Sequence, residues 1–332
     1  MGNKQINGKE KATDRNEEKA ETEYYIINEV CEFIELESDD TKDAQISEEK
    51  SCSCKDPNTT NSFIGIDELT LDKLPDDIRH ESLLTYILSA EKLVTHILVR
   101  CQPDPETDNE IKKGKVSGTG YLWLAEDEVE VYDQCPLVGC PHEQPHQSYG
   151  GIIAYTNHHV VRSQVEAMGC NVRIFFNSGS CGLIYSETID DCIKPILVYG
   201  YRLREHRENK DLVGLQIIFH DAKLFDLVKS LSTARINAWS KVPDTIKEKL
   251  KKHAIVISHP HGKHKVISFG ELLNFEELIN GDKVTEYTAS TCQGSSGAPV
   301  LTGHYSYRPF THRGKLGKVR KGNQKVNVSY SF

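Results

Sequence analysis

The second two-thirds of this chain is cut into short apolar runs by turn-forming residues. From about residue 113 the runs are GTGYLWLA, GIIAYTNHHVV, NVRIFFN, LVGLQIIF, HAIVISHP, HKVISFG, APVLTG and VNVSYSF. Gly, Asn, Asp and Pro recur between them. Runs of this length are strands, and turn signals at this density leave an all-β barrel or sandwich as the architecture. Residues 113–332 are enough for two small six-stranded Greek-key barrels packed together.

The first third reads differently. Over 68–100, Leu83, Leu84, Ile87, Leu88 and Leu93 fall on one helical face, and Pro75-Asp76-Asp77 supplies a start signal. Residues 62–112 are therefore expected to form a helical lead-in to the barrels. Residues 1–61 are expected to be a mostly disordered acidic tail. Residues 1–60 hold 16 Asp and Glu against 8 Lys and Arg, which accounts for nearly all of the chain's net charge of −9. Within the tail, EYYIINEVCEFIEL (23–36) places Tyr24, Ile27, Val30, Cys31 and Ile34 at helical spacing. That stretch is either a transient helix or a docking helix for a protein partner.

With the acidity confined to the tail, the remainder is close to neutral, which argues against nucleic-acid binding. The basic run from Arg313 to Lys325 reads as a solvated hairpin. No run is long enough to span a bilayer, and the first residues lack the apolar core of a secretory signal. The expectation is an intracellular protein whose ten cysteines are free thiols or metal ligands. Cys170, Cys181 and Cys192, close to strands, read as buried thiols.

Three residues carry the chemistry. In TCQGSSGAPV (291–300), Ser296 stands in a turn bounded by Gly294 and Gly297. Glycines on both sides let the backbone turn sharply and leave N–H groups free to face one point, which suits a nucleophile beside an oxyanion hole. His159 follows the strand GIIAYTN, where a ring can be held rigidly for general-base work. Asp211 precedes the strand LVGLQII, where a carboxylate can accept an imidazole N–H and fix its tautomer. Singly, each has a plainer reading: a polar surface turn, a structural histidine, a turn aspartate. Together they run in the order His, Asp, Ser, with spacings of 52 and 85 residues.

On these residues the chain resembles the trypsin-like serine proteases. Gly294-Ser295-Ser296-Gly297-Ala298-Pro299 is similar to their Gly-Asp-Ser-Gly-Gly-Pro signature, with Ser295 and Ala298 as departures. Thr156-Asn157-His158-His159-Val160-Val161 resembles the Thr-Asn-x-His-Val-Val of the intracellular high-temperature-requirement proteases, and so does Asp211-Leu212-Val213-Gly214-Leu215 their Asp-Ile-Ala-Leu-Leu. Gly118-Thr119-Gly120-Tyr121 and Ser258-His259-Pro260-His261-Gly262 resemble turns that open their first and second barrels. The resemblance implies a chymotrypsin-like pair of barrels. It also implies a peptide-bond hydrolase with Ser296 as nucleophile, His159 as base, Asp211 as orienting acid, and the N–H groups of Gly294 and Ser296 as oxyanion hole. No cofactor is required. Ser295 stands where extracellular members have an Asp that pairs with a new N-terminus, so no activating cleavage is expected. By the family's counting Ser290 lies at the base of the specificity pocket, and its neutral side chain favours an apolar or aromatic residue before the cut. The alternative is a catalytically silent pseudoprotease that binds protein.

One further cluster stands out. Cys135, Cys140, His142 and His146 lie within twelve positions in CPLVGCPHEQPH (135–146). Two cysteines and two histidines can hold a structural zinc ion; the plainer reading is a proline-stiffened loop between two strands.

Overall fold

The computed structural model describes residues 63–101, 114–124, 129–177, 196–207, 210–278, 283–320 and 324–331. The acidic tail, with the 23–36 segment, Cys181 and Cys192, lies outside the described residues.

A two-residue strand β1 (Ile64–Gly65) precedes helix α1 (Glu81–Glu91). The first barrel follows. Its strands are β2 (Val94–Cys101), β3 (Gly114–Leu124), β5 (Ser148–Thr156), β6 (Cys170–Ile174), β7 (Ile196–Arg207) and β8 (Leu212–Phe219), with a short β4 (Glu130–Tyr132) between the second and third. The order is β3-β2-β6-β7-β8-β5, and pairing of β3 with β5 closes the cylinder. Strand β4 pairs with Ser148–Gly150 of β5, before the stretch that pairs with β3. A short helix α2 (Gln164–Met168) links β5 to β6.

Two more helices, α3 (Ala222–Ser240) and α4 (Asp244–Leu250), carry the chain to the second barrel. That barrel contains β9 (His253–Ser258), β10 (Val266–Glu277), β11 (Lys283–Tyr287), β12 (Pro299–Thr302), β13 (Tyr305–Arg320) and β14 (Gln324–Ser331). Its order is β10-β11-β14-β13-β12-β9, closed by pairing of β10 with β9, and β1 adds to β10. Every pairing in both barrels is antiparallel. Closure removes the exposed edges that a sheet of this size would otherwise present. The expected all-β architecture of two six-stranded barrels is thus the architecture observed.

The apolar runs explain the layering. All eight residues of LVGLQIIF in β8 are buried. One face fills the barrel, and beyond the strand's end Phe219 meets Phe225 of α3 edge-to-face, with ring centroids 5.7 Å apart. Asp221 caps α3 by accepting from the N–H groups of Lys223 and Leu224, the ordinary way a first helical turn is satisfied. One hydrophobic cluster runs through the first barrel, α1 and α3 and continues into Ile255, Ile257, Ile267 and Leu301 of the second barrel.

The lead-in departs from expectation. The α-helix covers only Glu81–Glu91, after three single-turn 3₁₀ helices (Ile66–Glu68, Leu71–Lys73 and Asp76–Ile78), and Val94–Cys101, read as the helix's continuation, is a strand of the first barrel. Val94, Thr95, Ile97 and Val99 are β-branched, a composition that favours a pleated surface over a helix. Helix α1 instead packs on α3, with Tyr86 and Trp239 ring centroids 4.8 Å apart. A buried ion pair ties its last residue to the second barrel: Lys265 Nζ donates to Glu91 Oε2 at 2.8 Å and to Glu91 O at 2.7 Å.

Candidate active site

The C-terminal end of β5 and the N-terminal end of β8 are neighbours, since Thr156 is in register with Val213. The residues just beyond these ends, His159 and Asp211, are therefore brought together across 52 positions of sequence. His159 Nδ1 lies 2.5 Å from Asp211 Oδ2, and the His159 N–H donates to Asp211 Oδ1 at 2.8 Å. The same carboxylate thus holds both the ring and the backbone that carries it. Asp211 has φ of 53°, in the left-handed region, a conformation that Asp tolerates better than most residues. Its carbonyl is fixed by Asn157 Nδ2 at 2.8 Å and by the His158 N–H at 3.2 Å.

The Ser296 turn approaches from the second barrel. Gly294 and Gly297 have φ of 85° and 87°, so the turn needs the residues that sequence gives it. Gly297 has a second reason. A Cβ there would lie 2.1 Å from Thr119 O and 2.2 Å from Thr156 Oγ1. The turn is wedged against strands β3 and β5 of the first barrel. Thr119 is the fastener. Its N–H donates to Ser296 O at 2.8 Å, its hydroxyl donates to Gly294 O at 2.8 Å, and that hydroxyl accepts from the His259 N–H at 3.0 Å. On the far side, Gly297 N–H donates to His312 O at 2.9 Å and His312 N–H to Ala298 O at 2.8 Å. The next residue, Arg313, places Nε 3.7 Å from Asp211 Oδ2. A short path of contacts therefore leads from the Ser296 turn through His312 and Arg313 to Asp211 and His159.

The backbone N–H groups of the turn divide into two sets. Those of Ser295, Gly297 and Ala298 donate to Cys292 O, His312 O and Ser295 O, each at 2.9 Å. Among the described residues, no backbone hydrogen bond uses the N–H of Gly294 or Ser296. Ser295, the departure from the trypsin-like signature, is buried, and its hydroxyl donates to Ser258 Oγ at 3.1 Å and accepts from the Cys292 N–H at 3.2 Å. Ser296 is also buried. Among the described residues neither its Oγ nor His159 Nε2 has a hydrogen-bond partner. Ser296 Oγ and His159 Nε2 are thus not bonded to each other in this conformation. Ser290 is half-buried, and its carbonyl accepts from Ser268 Oγ at 2.7 Å.

Two neutral histidine rings back the turn. His259 and His96 are buried, with ring centroids 5.6 Å apart. Burial holds the His96 ring down to about 3 and lowers His259 well below the usual histidine range, so both are neutral at pH 7.

Two closed antiparallel six-stranded barrels meet at a His–Asp pair from the first and a Gly-Ser-Ser-Gly turn from the second. This is the trypsin-like fold. Among solved structures, the chain is similar to an HtrA-type protease, AlgW, with decapeptide, at a TM-score of 0.36 and 11% identity, covering 75% of this chain and 62% of that one. A substituted form of AlgW with decapeptide matches at a TM-score of 0.37 and 10% identity, covering 74% and 61%. The chain therefore spans about three-fifths of the length of those proteins, by the shares of 62% and 61%. No family model and no curated protein matches the sequence.

The residues that hold the triad candidates in place were partly hidden in the sequence. Thr119 was legible as part of a barrel-opening turn but not as the fastener of the Ser296 loop. Arg313 belongs to a basic run, and only its place on β13 brings its Nε near Asp211. Cys170 is a buried thiol, as expected, and donates to Glu166 O at 3.1 Å, whereas Cys292 is disulfide-bonded. The cysteine–histidine cluster also differs. The residues whose ligand atoms converge are Cys135, Cys140, His146 and His220. His142 is exposed, and its ring lies tilted against that of His220, with centroids 4.3 Å apart.

Proposed function

We propose that this chain is an intracellular serine endopeptidase that cleaves polypeptides through an acyl-enzyme. Ser296 Oγ attacks the scissile carbonyl. His159 Nε2 takes the hydroxyl proton and passes it to the leaving amine, while Asp211 holds the ring by Nδ1. The N–H groups of Gly294 and Ser296 receive the developing oxyanion, an interaction worth about 3–4 kcal/mol per donor in comparable sites. Water then releases the acyl group, with His159 again as base. The carrying observation is the two-point hold of Asp211 on His159, at 2.5 and 2.8 Å. The free N–H groups of the turn support the assignment of the oxyanion hole. Ser290, at the pocket base, gives a preference for apolar or aromatic residues before the cut.

Incubation with a proteome-derived peptide library tests this reading. The wild type should generate new termini after apolar or aromatic residues, and Ser296→Ala and His159→Ala should generate none.

One observation favours a second reading, a silent pseudoprotease that binds peptide segments. Ser296 Oγ and His159 Nε2 are buried without a mutual hydrogen bond. A binding module of this kind would retain peptides uncut, and Ser296→Ala would leave its affinity unchanged.

A further inference from the structure

The cysteine–histidine cluster lies at the other end of the strands that hold His159 and Asp211. Strand β5 begins just after His146, and β8 ends just before His220; the two ends are paired through Tyr149 and Phe219. Cys135 and Cys140 come from the loop between β4 and β5. Four side chains from two distant parts of the sequence thus converge on one half-buried point, with all ligand atoms within 4.8 Å of one another.

We propose that Cys135, Cys140, His146 and His220 form a structural zinc site that clamps the β4–β5 loop to the end of β8. The distances carry it. Tetrahedral zinc with Zn–S of about 2.3 Å and Zn–N of about 2.0–2.1 Å requires sulfur and nitrogen ligands to lie about 3.6 Å apart. His220 Nε2 is 3.3 Å from both Cys135 Sγ and Cys140 Sγ, and His146 Nε2 is 3.6 Å from Cys140 Sγ. A single S–H···N hydrogen bond would account for one such distance, but His220 Nε2 is equally close to two sulfurs, and a second imidazole joins one of them, as ligands around a shared centre do. A second shell is present too: His146 Nδ1 lies 2.9 Å from Glu143 O. A ring N–H donated to that carbonyl leaves Nε2 as the bare nitrogen that faces the sulfurs.

The charges balance. Binding converts two thiols to thiolates and releases two protons, so Zn²⁺, two thiolates and two neutral imidazoles form a neutral unit. Four protein ligands leave no open position, so the site is structural rather than catalytic. His142 is not a ligand: it is exposed, and its ring lies tilted against that of His220.

The test is elemental analysis and native mass spectrometry of the purified full chain, with cobalt substitution as a second readout. One zinc per chain is expected. Cys140→Ser and His220→Asn should each lose it, and His142→Ala should keep it. The cobalt form should show the intense visible bands of four-coordinate Co²⁺ and a thiolate-to-cobalt charge-transfer band. Should the ligand variants fail to fold, the cobalt spectrum of the wild type and the zinc content of His142→Ala still decide. A folded wild type that takes up neither metal, or zinc that survives His220→Asn and is lost in His142→Ala, would overturn the proposal.

Discussion

Asp211 grips His159 twice, at ring Nδ1 with Oδ2 and at the backbone N–H with Oδ1, 2.5 and 2.8 Å away. The first contact selects the tautomer that leaves Nε2 free to accept a proton. The second fixes the ring's origin relative to β8. Asn can keep the 2.8 Å backbone contact through its carbonyl oxygen, but it cannot stabilise an imidazolium. Asp211→Asn should therefore fold with an unchanged melting temperature and lose turnover by about 10⁴-fold. Circular dichroism and single-turnover rates check the two halves separately.

Gly297 combines a positive φ with a backbone approach that leaves no room for a methyl group, 2.1 Å from Thr119 O. Gly297→Ala must either push the Ser296 turn away from β3 or strain it. The expected loss is roughly 3 kcal/mol or more, read as a lower denaturation midpoint. An unchanged midpoint would mean that the turn is not wedged between the barrels.

The Lys265–Glu91 pair is buried on both sides, with side-chain exposures of 0% and 7%. Removing one partner leaves the other charge without compensation in the interior. Lys265→Met should destabilise the protein by about 3–5 kcal/mol, and adding Glu91→Leu should recover most of that. Chemical denaturation of the two single variants and the double variant gives the coupling directly.

His96 carries the clearest pH dependence. Its folded pKa, about 3, lies below that of a free histidine because burial disfavours the charged ring, with Arg173 adding to the effect. The stability that this neutral ring contributes is complete above the unfolded pKa of about 6.5 and declines as pH falls toward 3. Between pH 6.5 and 5 the loss should be about 2 kcal/mol for His96 alone. His259, shifted in the same direction, steepens the decline. Stability measured from pH 8 to 4.5 should be flat and then fall, and His96→Gln should flatten the fall.

The strands were readable because closed barrels preserve local signals. Each buried run, such as LVGLQIIF or HAIVIS, is bounded by turn residues and too short for a helix of ordinary length. Helix α3 carried a signal as well, with Leu224, Phe225, Val228, Ser232, Arg235 and Ala238 buried at helical spacing. It is mixed with Lys, Ser, Thr and Arg, and so is less conspicuous than the strands beside it. Strand β2 was mistaken for helix because Leu83–Leu93 sets a helical period that seems to run on into VTHILV. Only pairing with β3 and β6 shows otherwise. Of the candidate site, the order His, Asp, Ser was legible, and so was the glycine-bounded turn. The partners that fix the site, Thr119 and Arg313, come from strands distant in sequence. His220 escaped for the same reason: the strand register that brings it to His146 is a tertiary fact, whereas His142 was merely near in sequence.

The proposed activity rests on Ser296 as an activated nucleophile. It is tested most directly by treating the wild type and Ser296→Ala with a fluorophosphonate probe and mapping the labelled residue by mass spectrometry. One adduct is expected, on Ser296, absent from the variant and much slower to form in Asp211→Asn. A folded wild type that takes no label, or that is labelled equally after Ser296→Ala, would contradict it.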